Sequence, residues 1–164
     1  MSNRSAVLAA LAAICALSAA PARSADSPPA APQGPQPDYH PSLADLMTSA
    51  VQPRHIKIGV AGKARNWAYL TYESSEMRNA FTRIARTIPA YRQNKLADLF
   101  ASGVVPALDE LDAAIKVKDA AKFDTAYVHV TEACNNCHMS LDHAYVVIRA
   151  PLTSPYPDQD LRGR

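Results

Sequence analysis

Residues 119–141 read DAAKFDTAYVHVTEACNNCHMSL, and their spacing decides the fold. Asp119 is a good helix N-cap residue, because its side-chain oxygen can accept a backbone N–H that has no partner inside the helix. Phe123, Tyr127, Val130, Cys134, Cys137 and Leu141 then recur three or four residues apart, along one face of an α-helix. Both thiols lie on that core-facing seam. Whatever they hold is inserted among helices rather than hung outside them.

Within this helix, Cys134-Asn135-Asn136-Cys137-His138 is C-x-x-C-H, the attachment pattern of c-type haem. Two thiols three residues apart can each add across a haem vinyl group. The His after the second Cys is then held under the iron, where an imidazole nitrogen binds as proximal ligand. A zinc half-site needs further ligands, and no other Cys remains once the N-terminal segment is removed. A thiol–disulfide motif opens a helix after a strand, and no strand is expected here. Cys134 and Cys137 are thus the expected thioethers of one covalent haem c, and His138 its iron ligand.

The N-terminus agrees with that chemistry. Arg4 gives a positive start, residues 6–20 are short and apolar, and Ala20-Pro21-Ala22 and Ala22-Arg23-Ser24 offer small-x-small cleavage sites. Residues 1–24 are expected to be a secretory signal peptide, too short to span a bilayer, so stable membrane insertion is not expected. Cys15 leaves with it. Cleavage removes Arg4 and Arg23 and no acid, so Lys and Arg fall from 17 to 15 against 15 Asp and Glu. A near-neutral chain has no basic field for nucleic acid. C-type haem is attached after export, which makes the periplasm the expected address.

Residues 25–41 form a Pro-rich leader, with six prolines among residues 26–41 that exclude helix. A first helix is expected from Ser42, with Asp45 three residues on as in a capping box. Leu43, Leu46, Met47, Ala50 and Val51 give its apolar stripe. Pro53 must kink or restart it, and Gly59-Val60-Ala61-Gly62 should end it. Trp67, Leu70, Ser74, Met77, Phe81, Ile84 and Ile88 mark a second helix stopped by Pro89. A third is interrupted at Gly103 and Pro106, with Leu96, Leu99 and Phe100 before and Leu108, Leu111 and Ile115 after. The helix from Asp119 is the fourth. Residues 144–164 are expected to be an irregular, partly extended tail. With short connections and no strands, the expected fold is all-α: an antiparallel up-down-up-down four-helix bundle over residues 42–143.

An exported, all-helical chain with C-x-x-C-H near its C-terminus resembles the class II cytochromes c, the cytochrome c prime group and its low-spin relatives. The resemblance covers roughly residues 42–142. Its one specific motif is Cys134 to His138. The leader, the long tail, the Pro in the first helix and Met139 after the motif depart from the family pattern and mark a distinct subgroup.

The resemblance implies single-electron transfer to a redox partner protein, admits a homodimer, and gives Met47 a role. Low-spin members use a first-helix Met as the sixth iron ligand. In an up-down-up-down bundle the start of the first helix lies beside the end of the fourth. At about 1.5 Å per residue, Met47 and His138 match in level within a turn. A Met ligand closes the coordination shell and suits an electron carrier. The alternative is a five-coordinate haem protein that binds nitric oxide or carbon monoxide in sensing or detoxification, with Leu43, Met47 and Val51 as its apolar distal wall. His55 is the rival ligand, about 12 Å beyond Met47 along the helix, and is otherwise expected at the surface or on a propionate. Arg54-His55 keeps a peroxidase in view. Arg54, His55, Lys57, Lys63 and Arg65 form a basic cluster, read either as a solvated face or as a docking patch for an acidic partner. Met77 is expected in the core, and Tyr145 and Ile148 over a haem edge.

Overall fold

The structure is a computed structural model describing residues 38–163. The expected signal peptide and nearly all of the expected Pro-rich leader lie outside the described residues. Residues 38–41 have no regular structure, and Ser42 then caps a short helix α1 (Leu43–Leu46). Its Oγ accepts the Asp45 N–H at 3.1 Å while the Asp45 carboxylate accepts the Ser42 N–H at 3.0 Å, the capping box expected there.

Pro53 does not stop the helix. A single π-helical turn (Met47–Val51) carries α1 into α2 (Gln52–Lys63), with Pro53 in the first turn of α2. The Gln52 N–H donates to the Met47 carbonyl, five residues back instead of four. Pro53 has no N–H to return to the preceding turn, and a widened turn absorbs that loss without breaking the chain's course.

α2 ends at Lys63, one residue beyond the Gly59-Val60-Ala61-Gly62 stretch expected to end it, so Gly59 and Gly62 lie within its last turns. Both are close-approach residues. A Cβ on Gly62 would overlap the Phe123 ring, and one on Gly59 would overlap the Tyr127 hydroxyl and lie 2.8 Å from the Pro151 ring.

The remaining helices follow the apolar periods. α3 (Trp67–Thr87) is capped by Asn66, whose Oδ1 accepts the Tyr69 N–H at 3.3 Å. After Pro89 comes a two-stranded antiparallel hairpin, β1 (Ala90–Tyr91) and β2 (Asn94–Lys95), which corrects the expectation of no strands. Its tightness uses Arg92 at φ 53°, a left-handed residue in the turn. α4 (Leu96–Gly103) and α5 (Val105–Val117) meet at Val104, with Pro106 in the first turn of α5 where its missing N–H costs nothing. Left-handed Lys118 ends α5, and Asp119 caps α6 (Ala120–Ser140) by accepting the Lys122 N–H at 3.0 Å.

The described residues are therefore mostly helical with one small hairpin. α2 packs against α3 and α6, α3 against α5, and α5 against α6. Ile58, Leu70, Met77, Ile84, Leu108, Leu111, Phe123 and Val130 fill the space between them. No helix among the described residues is long and apolar enough to cross a membrane.

The tail is irregular, as expected, but it is stapled down. Lys63 Nζ donates to the carbonyls of Pro151 (2.6 Å) and Leu152 (3.1 Å), and Asn66 donates to that of Leu161 (3.2 Å). Gln159 donates to the Tyr69 hydroxyl at 2.9 Å, and Leu161 is buried.

Candidate functional site

The end of α6 and the start of α1 bound one cavity of about 480 Å³. That falls in the usual range of cofactor pockets, roughly 300–1,000 Å³. Cys134, Cys137 and His138 line it from α6, and Met47, Val51 and His55 from the π turn and α2. Phe81 and Val104 contribute from α3 and the α4–α5 junction, and Tyr145, Val146 and Ile148 from the tail. Met47, at the head of the π turn, thus shares one cavity with the motif as its level along the helix predicts. Met77 is fully buried in the core, and Met139 is exposed.

His138 is held in one tautomer. Its Nδ1 lies 2.7 Å from the Val146 carbonyl oxygen. A carbonyl only accepts, so Nδ1 carries the hydrogen and, in the neutral ring, Nε2 keeps its lone pair. This is the arrangement a metal-binding imidazole needs, with the second nitrogen fixed by a backbone acceptor.

The two thiols are free. Burial, and after it the neighbouring Cys137, push the Cys134 thiol up to about 12; burial raises Cys137 as well. Reactive thiolate motifs sit at helix N-termini and have lowered pKa values. These thiols sit near the C-terminus of α6, where the helix dipole opposes negative charge. They therefore fit addition as neutral thiols to an apolar group, not exchange chemistry as thiolates.

His55 lines the cavity, but its Nε2–H is engaged elsewhere. The Thr131 hydroxyl donates to the Tyr127 carbonyl at 2.9 Å, so at 2.9 Å from His55 Nε2 it must accept. The Tyr127 hydroxyl donates to the His55 carbonyl at 2.9 Å and lies 3.2 Å from Nδ1, and the two rings stack at 4.9 Å. His55 is 3% exposed, which corrects the expectation of a surface His. Burial pushes its pKa down to about 4, so the ring is neutral. Its role is to join α2 to α6 across the cavity floor, and the peroxidase pairing loses both members. Arg54 turns instead to buried Glu73, which accepts from its guanidinium at 2.8 Å and from the Tyr69 hydroxyl at 2.6 Å.

The basic cluster is dispersed in the same way. Lys57 lies 3.9 Å from Glu73, Arg65 forms a two-bond pair with Asp124 at 2.8 Å, and Lys63 holds the tail. These cations staple elements together instead of forming an open docking patch. Asp109, Glu110 and Asp112 are paired as well: Arg78 with Asp109 and Asp112, and His129 with Glu110 at 2.6 Å.

Sequence reasoning missed His143 and Tyr91 as cavity-wall residues. His143 sits between the hydroxyls of Tyr91 and Tyr145, each at 3.0 Å, which ties the hairpin to the tail beside the cavity.

An apolar, cofactor-sized cavity holding two neutral thiols, an imidazole with a free Nε2 and a thioether on a separate helix fits covalent haem. No sequence family, curated protein or solved structure matches the chain.

Proposed function

We propose that the chain is an exported c-type cytochrome that carries single electrons in the periplasm. The observation that carries this is the gathering, in one apolar cavity, of Cys134, Cys137, the Nδ1-anchored His138 and Met47. Cys134 and Cys137 would hold the haem as thioethers, each S–H and vinyl π bond giving way to one S–C and one C–H bond with no leaving group. His138 Nε2 would ligate iron from the α6 side and the Met47 thioether from the π turn. Bound there, the haem supplies a one-electron couple. The chain's own residues then exclude water, fix both ligands and keep charge away from the cavity. Phe81, Val51, Val104 and Leu43 supply the apolar wall. His55, with its Nε2–H on Thr131 and its ring stacked on Tyr127, is held between α2 and α6 and leaves the ligand role to Met47.

The packing of α1–α2, α3, α4–α5 and α6 in a closed ring of contacts supports the antiparallel up-down-up-down bundle and the class II cytochrome c likeness. A physiological redox partner is part of the proposal, as is a signal peptide over residues 1–24. The apolar flank at Leu43, Val51 and Phe81 favours one alternative, a five-coordinate binder of nitric oxide or carbon monoxide in which Met47 packs beside the open iron face.

The test is maturation of the chain in a haem-attaching periplasm, followed by intact mass and absorption spectra in both oxidation states. One haem per chain surviving denaturation, with low-spin spectra, is expected; a colourless chain with both thiols unmodified refutes the proposal. Met47→Ala should convert the spectra to high-spin. If wild type is already high-spin and the substitution changes nothing, the gas-binding alternative holds.

A further inference from the structure

The x residues of C-x-x-C-H have no part in thioether formation, so their identity is free for other work. Asn136 is exposed. Asn135 is half-buried and makes a two-bond clamp on the tail backbone. Its Nδ2 donates to the Ile148 carbonyl at 3.0 Å, and its Oδ1 accepts the Ile148 N–H at 2.8 Å. The backbone partners fix the amide's orientation, since an N–H only donates and a carbonyl only accepts. This is the bond pair of one antiparallel ladder step, supplied by a side chain. Asp would lose the donor, Ala would lose both groups, and Gln would reach one methylene too far.

Two residues before the clamp is Val146, whose carbonyl accepts from His138 Nδ1 at 2.7 Å. The Val146 N–H donates to the His143 carbonyl at 2.8 Å, and the His143 ring is held by Tyr91 and Tyr145. The carbonyl that orients His138 is thus fixed on both sides, by the turn at 143–146 and by Asn135 at 148. The side chains of Val146 and Val147 are exposed, so their packing does little to hold this stretch. The Asn135 clamp does.

We infer that Asn135 is a positioning residue for the iron ligand: by pinning Ile148 it holds the Val146 carbonyl on His138 Nδ1 and sets the ligand's donor strength. This rests on the haem reading above. A fixed acceptor on the far nitrogen makes an imidazole more basic toward a metal. A more basic ligand favours the higher oxidation state, so the clamp lowers the reduction potential. Releasing the carbonyl should raise it.

The test uses the full chain matured with haem, as wild type, Asn135→Ala, Asn136→Ala, Ile148→Pro and Ile148→Ala. Intact mass first reports attachment. A wild type without haem refutes the cytochrome reading and the role at iron with it. Backbone hydrogen exchange then reads the clamp whether or not haem is bound. In Asn135→Ala the Ile148 amide should exchange at least roughly tenfold faster, with Asn136→Ala unchanged. In haem-loaded Asn135→Ala the one-electron equilibrium should move toward the reduced form by up to roughly tenfold, which corresponds to about 59 mV upward. Helix content and iron spin state should not change. Ile148→Pro deletes the clamped N–H, and relative to Ile148→Ala, which strips the same cavity-wall side chain but keeps the N–H, should move the potential in the same direction by less. A potential in Asn135→Ala equal to that of Asn136→Ala overturns the inference, as does an Ile148 amide that stays protected. If Asn135→Ala does not accumulate, a potential in Ile148→Pro equal to that of Ile148→Ala overturns it instead.

Discussion

The α1–α2 stretch meets α6 in two places, and the two are built differently. Toward the end of α2, Gly59 and Gly62 have no side chains, so Tyr127 and Phe123 lie directly on the helix backbone. Those rings stack 6.1 Å apart at 8°, and Trp67 meets Phe123 edge-on at 6.0 Å. At the start of the stretch, Met47 and Val51 share a cavity of about 480 Å³ with Cys134, Cys137 and His138. The same two elements therefore touch at one end and stand open at the other. The cavity is not general looseness. A π turn and medium-sized side chains keep it, while glycine against aromatic rings closes the other end.

The largest break in this comparison is at the open end. If the proposed haem is attached there, Cys134→Ser with Cys137→Ser should abolish it, leaving the mass of the bare polypeptide after maturation. At the closed end, Phe123→Ala should leave attachment chemistry intact but cost about 3–5 kcal/mol of stability, since a buried ring is lost from between α2, α3 and α6. Urea unfolding of the haem-loaded variant checks this. If Phe123→Ala unfolds with an unchanged midpoint, the closed end is not the stabilising seam.

Between the two ends lies His55, and it gives the contact a pH dependence. Its folded pKa, about 4, lies below its unfolded value near 6.5. From pH 6.5 down to 4 the unfolded chain takes up the proton first, so unfolding is favoured as pH falls. The stability is whole above pH 6.5 and is lost progressively toward pH 4, by up to roughly 3 kcal/mol. His55→Gln removes the titrating ring, so the slope of unfolding free energy against pH should flatten in that window. His129 is shifted the other way by its hydrogen bond to Glu110, but it is exposed and contributes little to this slope.

Much of this was legible in the sequence because it is carried by side-chain period and by capping chemistry. Asp119, Ser42 with Asp45, Pro106 and Pro89 mark helix limits by local rules, and the structure places those limits there. The motif and Met47 come to one cavity because helix rise fixes level along an axis. The π turn was half legible. Pro53 announces a disturbance, but whether the chain breaks or widens depends on what packs against it. His55 was misread because its partners, Thr131 and Tyr127, are found only once α2 and α6 are in register. The tail's irregular course was legible, but what holds it down was not. Lys63, Asn66 and Asn135 bind its backbone carbonyls and amides, and every residue type has those. Its prolines and exposed β-branched residues announce only that it is not a helix.

The finest test of the comparison is one substitution made at two glycines. Gly62 and Gly103 both lie inside helices and neither has a positive φ, so neither needs glycine for backbone reasons. A sequence rule treats them alike: Ala should help both, because it narrows the unfolded ensemble and favours helix. Space separates them. At Gly62 the new methyl meets the Phe123 ring, which is 2% exposed and backed by Trp67 and Tyr127, so it cannot retreat without disturbing both. Overpacking of that kind costs about 1–3 kcal/mol, more than the helix preference returns. At Gly103 nothing lies within 4 Å of the added carbon. There the unfolded-state term acts alone, and Gly103→Ala should stabilise by about 0.4–1 kcal/mol. Paired urea titrations should therefore give shifts of opposite sign. A gain at both positions would mean that α2 and α6 are not in contact at Gly62, and that the closed end is as open as the cavity.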